Sequence, residues 1–167
     1  MPNNFSHPLM DNNILPIDLK RVSHFLKQKN IILTQSKFVK KFEIEWSKWL
    51  GVKYSVFVNS GSSANILSLG ILKILTKKKD VIVPSLTWVS DINAVLFNNF
   101  KPKFVDVNIS NLSMKLDEVK KKINKNTAAV FLTHAQGFNG LTDDLIKILK
   151  KKKIILIEDV CESHGAK

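Results

Sequence analysis

The chain has 167 residues, 44% of them apolar and 24% charged, and 26 Lys and Arg against 14 Asp and Glu give it a formal charge of +12. That balance suits a folded domain with its own core and excludes disorder of the chain as a whole. A single cysteine, Cys161, excludes a disulfide framework or a Cys-rich metal site. No apolar run approaches the ~18–20 residues of a membrane span, and the start, Met1-Pro2-Asn3-Asn4, lacks signal-peptide character. A cytoplasmic protein with no membrane role is the expectation.

An irregular start leads into a helix over Pro16–Gln28, where Ile17, Val22, Phe25 and Leu26 recur at helical spacing. A second helix, Ser36–Leu50, carries Val39, Phe42, Trp46 and Trp49 at intervals of three and four and stops at Gly51. Strands are then expected at Ser55–Asn59, Asp80–Val83, Lys103–Val107, Ala128–Thr133 and Lys153–Glu158. Helices alternate with them at Ser62–Leu75, Val89–Asn98, Lys115–Ile123 and Leu141–Lys150. Continuously apolar strands such as Val130-Phe131-Leu132 fit a sheet covered on both faces. The expected fold is therefore α/β, a mostly parallel sheet with helices on both faces. Residues 1–34 read as an N-terminal segment and helix, and 35–167 as the sheet-bearing part.

The charge invites a nucleic-acid reading, but Arg21 is the only arginine among the 26 basic residues, and Arg is the residue that reads phosphates and base edges bidentately. The lysines fall in blocks at 77–79, 120–122 and 150–153, each where a helical pattern ends and a cation complements the helix dipole. They lack interleaved aromatics. Solvated helix ends and no nucleic-acid partner are expected. A basic polyanion-binding module remains the alternative from another class.

Ligands of open α/β sheets bind at the carboxyl ends of the strands. Asn59-Ser60-Gly61-Ser62-Ser63 leads directly into a helix, where small residues, hydroxyls and free N–H groups make either a phosphate cradle or a Ser-capped helix start. Trp88 follows the Asp80–Val83 strand and serves either as a stacking platform or as core. His134 ends the fourth expected strand, as an acid–base or substrate-contacting group or as a structural histidine. Asp159 and Glu162 follow the fifth; a carboxylate placed behind four aliphatics needs a cationic partner such as a protonated pyridinium, or else is a turn residue. Cys161 reads as a small apolar group and His164 as a turn residue.

Three stretches, Lys53–Leu69, Asp80–Val107 and Ala128–Ala166, together resemble the DegT-type sugar aminotransferases, which depend on pyridoxal 5'-phosphate (PLP) and share the aspartate-aminotransferase-like fold. The resemblance implies that Gly61, Ser62 and Ser63 hold the cofactor phosphate, that Trp88 stacks on the ring, and that Asp159 pairs with the ring nitrogen. Glu162 is the remaining cofactor-binding position that the resemblance implies, near the ring's 3-hydroxyl, where many members carry Gln. The family's Schiff-base lysine lies beyond the turn that ends this chain. Lys167 is too close to that turn to be it, and the runs at 120–122 and 150–153 are on the wrong elements. The expectation is an N-terminal fragment, inactive alone, of a homodimeric enzyme that moves an amino group from an amino acid to a keto-sugar nucleotide for cell-surface polysaccharide or amino-sugar synthesis. The resemblance equally allows a sugar-nucleotide 3-dehydratase that uses the pyridoxamine form of the cofactor and carries His for that Lys. No metal is implied.

Overall fold

The computed structural model describes residues 13–166, so the readings of Met1–Asn4 and of Lys167 fall outside the described residues. Two compact units divide between Phe57 and Val58. In the first, helix α1 spans Pro16–Leu26 and α2 spans Lys37–Leu50. Pro16 opens α1 with its φ preset, and the Asp18 carboxylate accepts the orphan N–H of Leu15. The Ser36 hydroxyl caps α2 by accepting from the Phe38 N–H, and Gly51 ends it at φ 71°, a left-handed conformation open to glycine at no steric cost. The aromatic stripe of α2 packs ring on ring, Phe42 against Trp46 at 5.7 Å and Trp46 against Trp49 at 4.8 Å between centroids.

The second unit begins with α3 (Gly61–Leu75) and continues with β1 (Asp80–Pro84), α4 (Val89–Phe97), β2 (Lys101–Val105), α5 (Leu116–Lys122), β3 (Thr127–Thr133), α6 (Asp143–Lys152) and β4 (Ile155–Asp159). The four strands pair in parallel in the order β2-β1-β3-β4. β1 and β3 are buried along their whole length, and alternation sends their side chains to two cores. Val81, Val83, Ala129 and Phe131 pack with Leu69 and Leu72 of α3 and Val95 of α4. Ile82, Val130 and Leu132 pack with Val119 of α5 and Leu145 and Leu149 of α6. Helices therefore cover both faces of an all-parallel sheet, as the apolar runs imply.

Three expectations need correction. Ser55–Asn59 forms no strand, leaving four strands among the described residues instead of five, and Val56 and Phe57 lie exposed. A β-rich composition alone does not make a strand, since a ladder also needs a neighbour. The strand expected at Lys103–Val107 starts two residues earlier, because Lys101 and Pro102 join the β1 ladder. β4 is half-exposed in spite of its aliphatic run, since it is the sheet's edge among the described residues. The lysine blocks behave as read: Lys120–Lys122 and Lys150–Lys152 occupy the last turns of α5 and α6.

Phe131, 1% exposed at the centre of one core, and Ile155 on the edge strand provide a paired test. Phe131→Ala should cost about 3–5 kcal/mol in chemical denaturation, and Ile155→Ala about 1 kcal/mol or less. Equal losses would contradict the placement of β4 at the edge.

Candidate functional site

The chain leaves β1 toward β2 on one side, then crosses to β3 on the other. The segments following β1 and β3 diverge, and that divergence opens a crevice at the carboxyl ends of the strands. A cavity of about 250 Å³ lies there. Thr87 and Trp88 after β1, Thr133 and Gln136 at the end of β3, and Cys161 and Glu162 after β4 line it.

Thr133 lines this cavity and Asp159 does not, although register puts both on one face of the sheet. Thr133 pairs with Asp159 across β3 and β4, and both share the face of Phe131 and Ile157, which is covered by α3 and α4. From α3, Asn65 Nδ2 donates to Asp91 Oδ1 at 2.7 Å and to Asp159 Oδ2 at 3.2 Å, tying the two carboxyls together. Asp91, in the first turn of α4, holds its Oδ2 in hydrogen-bond contact with the hydroxyls of Thr87 and Thr133. Burial pushes the Asp91 carboxyl up to about 6 against the pull of those hydroxyls, and the nearby charge of Asp159 adds to the rise. Burial also acts to raise Asp159, but hydrogen bonds from Cys161 and Asn65 outweigh it and hold that carboxyl below its ordinary value. Asp159 is thus an ionised, half-buried carboxylate. Among the described residues no lysine, arginine or histidine forms an ion pair with it.

The helix α3 begins at this end of the sheet. Ser60 caps it, its hydroxyl accepting from the Ser63 N–H, and the Ser63 hydroxyl donates to Asn59 at 2.7 Å. Gly61 and Ser62 are exposed, with open space around the Gly61 Cα. Asn65 follows about 6 Å further along the axis, at 1.5 Å per residue. Both readings of the Ser-Gly-Ser-Ser turn therefore hold together: it is a capped helix start, and it also leaves a small-residue surface beside the carboxylates. Trp88 is 70% exposed at the crevice, so it is not a core residue. Glu162 is exposed, and its Oε2 accepts from the Gln136 N–H at 2.6 Å, latching the turn after β3 to the turn after β4. The left-handed Gly137 (φ 77°) permits that latch, because a Cβ there would meet the Glu162 carbonyl oxygen at 2.8 Å.

His134 does not join this group. Nε2 contacts Glu158 Oε2 at 2.9 Å and Nδ1 accepts from the Gly140 N–H at 3.3 Å. With both ring nitrogens engaged and the residue 7% exposed, it orders the turn after β3 and does not line the crevice. Asn65 and Asp91 were the residues that sequence reasoning missed. A lone amide within the apolar run of α3 was the available signal for Asn65. Asp91 sits in a helix's first turn, where an acid ordinarily reads as a solvated partner of the dipole.

Cys161 reaches the surface, yet local desolvation and the charges of Asp159 and Glu162 push its thiol up to about 12. The folded chain should therefore react with iodoacetamide at pH 8 at least about a hundredfold more slowly than the unfolded chain, because only the thiolate attacks. Equal rates would contradict this placement of the sulfur.

Comparison with known proteins matches residues 15–167 to the DegT/DnrJ/EryC1/StrS aminotransferase family. GDP-4-keto-6-deoxy-D-mannose 3-dehydratase of Escherichia coli O55:H7 is 31% identical over 96% of this chain and 42% of its own length. GDP-perosamine synthase of Vibrio cholerae is 31% identical over 80% of this chain and 36% of its own. Among solved structures, E. coli GDP-4-keto-6-deoxy-D-mannose-3-dehydratase with bound hydrated PLP superposes at a TM-score of 0.87 and 30% identity, covering 97% of this chain and 42% of that one. The chain thus spans less than half the length of these relatives. A parallel sheet with its polar crevice at the strand ends and a family match over 15–167 lead to one conclusion: the chain belongs to the DegT/DnrJ/EryC1/StrS aminotransferase family.

Proposed function

We propose that the whole protein is a PLP-dependent aminotransferase that moves an amino group from an amino acid such as glutamate to a keto-sugar nucleotide. The observation that carries this reading is Asp159, an ionised carboxylate at the same end of the sheet as the exposed Trp88, with no cation paired to it among the described residues. Such a group suits a protonated pyridine nitrogen. The Ser-Gly-Ser-Ser start of α3 offers hydroxyls and helix-terminal N–H groups to a phosphate, so the residues present fit the cofactor.

In this reading Gly61, Ser62 and Ser63 hold the phosphate, Trp88 lies against the ring, and Asp159 keeps the proton on the ring nitrogen. Glu162 orders the edge of the site through Gln136. Bound there, the cofactor supplies an electron sink for the charge that develops when a substrate carbon loses its proton. Residues 35–167 are then the N-terminal part of the cofactor-binding large domain, within a cytoplasmic homodimer that serves cell-surface polysaccharide or amino-sugar synthesis. Among the described residues no helix is long and apolar enough to cross a membrane.

A second reading, a sugar-nucleotide 3-dehydratase, is favoured by the alignment of the E. coli O55:H7 3-dehydratase over 96% of this chain. Whole protein incubated with PLP, glutamate and a 4-keto-6-deoxy nucleotide sugar separates the two by mass spectrometry of the sugar. Nitrogen gained marks transfer, whereas loss of the C3 oxygen without nitrogen marks dehydration. Equilibrium dialysis against PLP tests what both readings share. Asp159→Ala should weaken binding about tenfold or more, as expected for a charged hydrogen bond, and Trp88→Ala should weaken it less. Unchanged binding in Asp159→Ala would overturn the assignment.

A further inference from the structure

Asp91 has no part in the roles proposed above, yet it is 1% exposed and held from four directions. Its Oδ2 and the hydroxyl oxygens of Thr87 and Thr133 are all in mutual hydrogen-bond contact, with the two threonine oxygens 2.6 Å apart and Thr133 2.9 Å from the carboxyl. Three such contacts among three oxygens need three protons. The two hydroxyls supply two, and an ionised carboxylate supplies none. The third proton therefore belongs to Asp91 as a carboxylic acid.

The surroundings agree with this count. Asn65 of α3 and Ser90 of α4 offer Asp91 only uncharged groups, as do Thr87 and Thr133. The titratable groups that face it are Asp159 of β4 and, beyond it, Cys161, and both are acids. Asn65 bridges the two carboxyls with one amide nitrogen, which cannot neutralise a second negative charge. No lysine, arginine or histidine among the described residues pairs with either acid. The cation that would let both ionise is not supplied by the described residues.

We propose that Asp91 is a positioning residue that holds its proton to higher pH while the site lacks a cation, and yields it to water more readily when a cationic ring nitrogen settles against Asp159. The release step rests on the function proposed above, whereas the proton on Asp91 stands on the hydroxyl geometry alone. Asp91 acts through Asn65 and Asp159, and the site's negative charge rises to match an incoming positive one.

Carbon-13 NMR titration of the aspartate carboxyls in the full chain tests this, with Asp91→Asn used to assign the resonance. Asp91 should titrate with a midpoint near 6, against an ordinary value of 3.8. In Asp159→Asn that midpoint should fall by about half a unit or more, because the neighbouring negative charge is gone. Saturating pyridoxamine 5'-phosphate should lower it in the wild type and leave it unmoved in Asp159→Asn. A midpoint at the ordinary value, or one indifferent to Asp159→Asn, overturns the proposal, since a merely structural aspartate would show either. A raised midpoint that bound pyridoxamine 5'-phosphate does not shift overturns the release step. If the cofactor does not bind, the proposed function and the release step fall together, and the ligand-free titration still decides the proton on Asp91.

Discussion

Side-chain alternation along the buried parallel strands is the constraint on which this molecule depends. β1 and β3 are covered on both faces, so their central apolar residues divide between two cores, and slipping the register by one would exchange them. The same alternation reaches the strand ends. Thr133 and Asp159 fall on the α3 and α4 side, where Asn65 and Asp91 meet them. Glu158 takes the other face of β4 and engages His134. Two acids adjacent in sequence thus have different duties, for no reason other than parity.

The polar crevice follows from that geometry and from the point at which the strand order reverses. It is acidic within a chain of net charge +12. The lysines cluster at the far ends of α5 and α6, where they complement the helix dipoles and form pairs such as Lys121 with Glu118. Overall charge therefore says little about the site, which collects carboxylates, hydroxyls and an amide. Two carboxyls share one amide donor, and their protonation separates because burial prevails at Asp91 while hydrogen bonds from Cys161 and Asn65 outweigh it at Asp159: Asp159 ionises early and Asp91 late. A site of that kind is suited to hold one cationic group in a fixed place.

Much of this was legible in the sequence. The alternation of apolar runs and amphipathic helices implies a parallel sheet covered on both faces, and the strand-end positions of Trp88, Asp159 and Glu162 follow from it. Ser55–Asn59 misleads because β-propensity reports a conformation and not a partner. His134 is visible as a strand-end histidine, but its two hydrogen-bond partners depend on the register of β3 against β4 and on the fold of the turn to Gly140. Asn65 and Asp91 escape because helix-period reasoning assigns each to its own helix. Only the packing of α3 beside α4 brings them together, 26 residues apart in sequence.

The claim at the centre of this account is that Asp159 holds a proton on the ring nitrogen of a bound cofactor. Nitrogen-15 NMR of ring-labelled PLP bound to the whole protein reads that proton directly. The account predicts a protonated ring nitrogen near neutral pH with Asp159 present, and an unprotonated one in Asp159→Asn. An unprotonated nitrogen facing an intact Asp159 would contradict it.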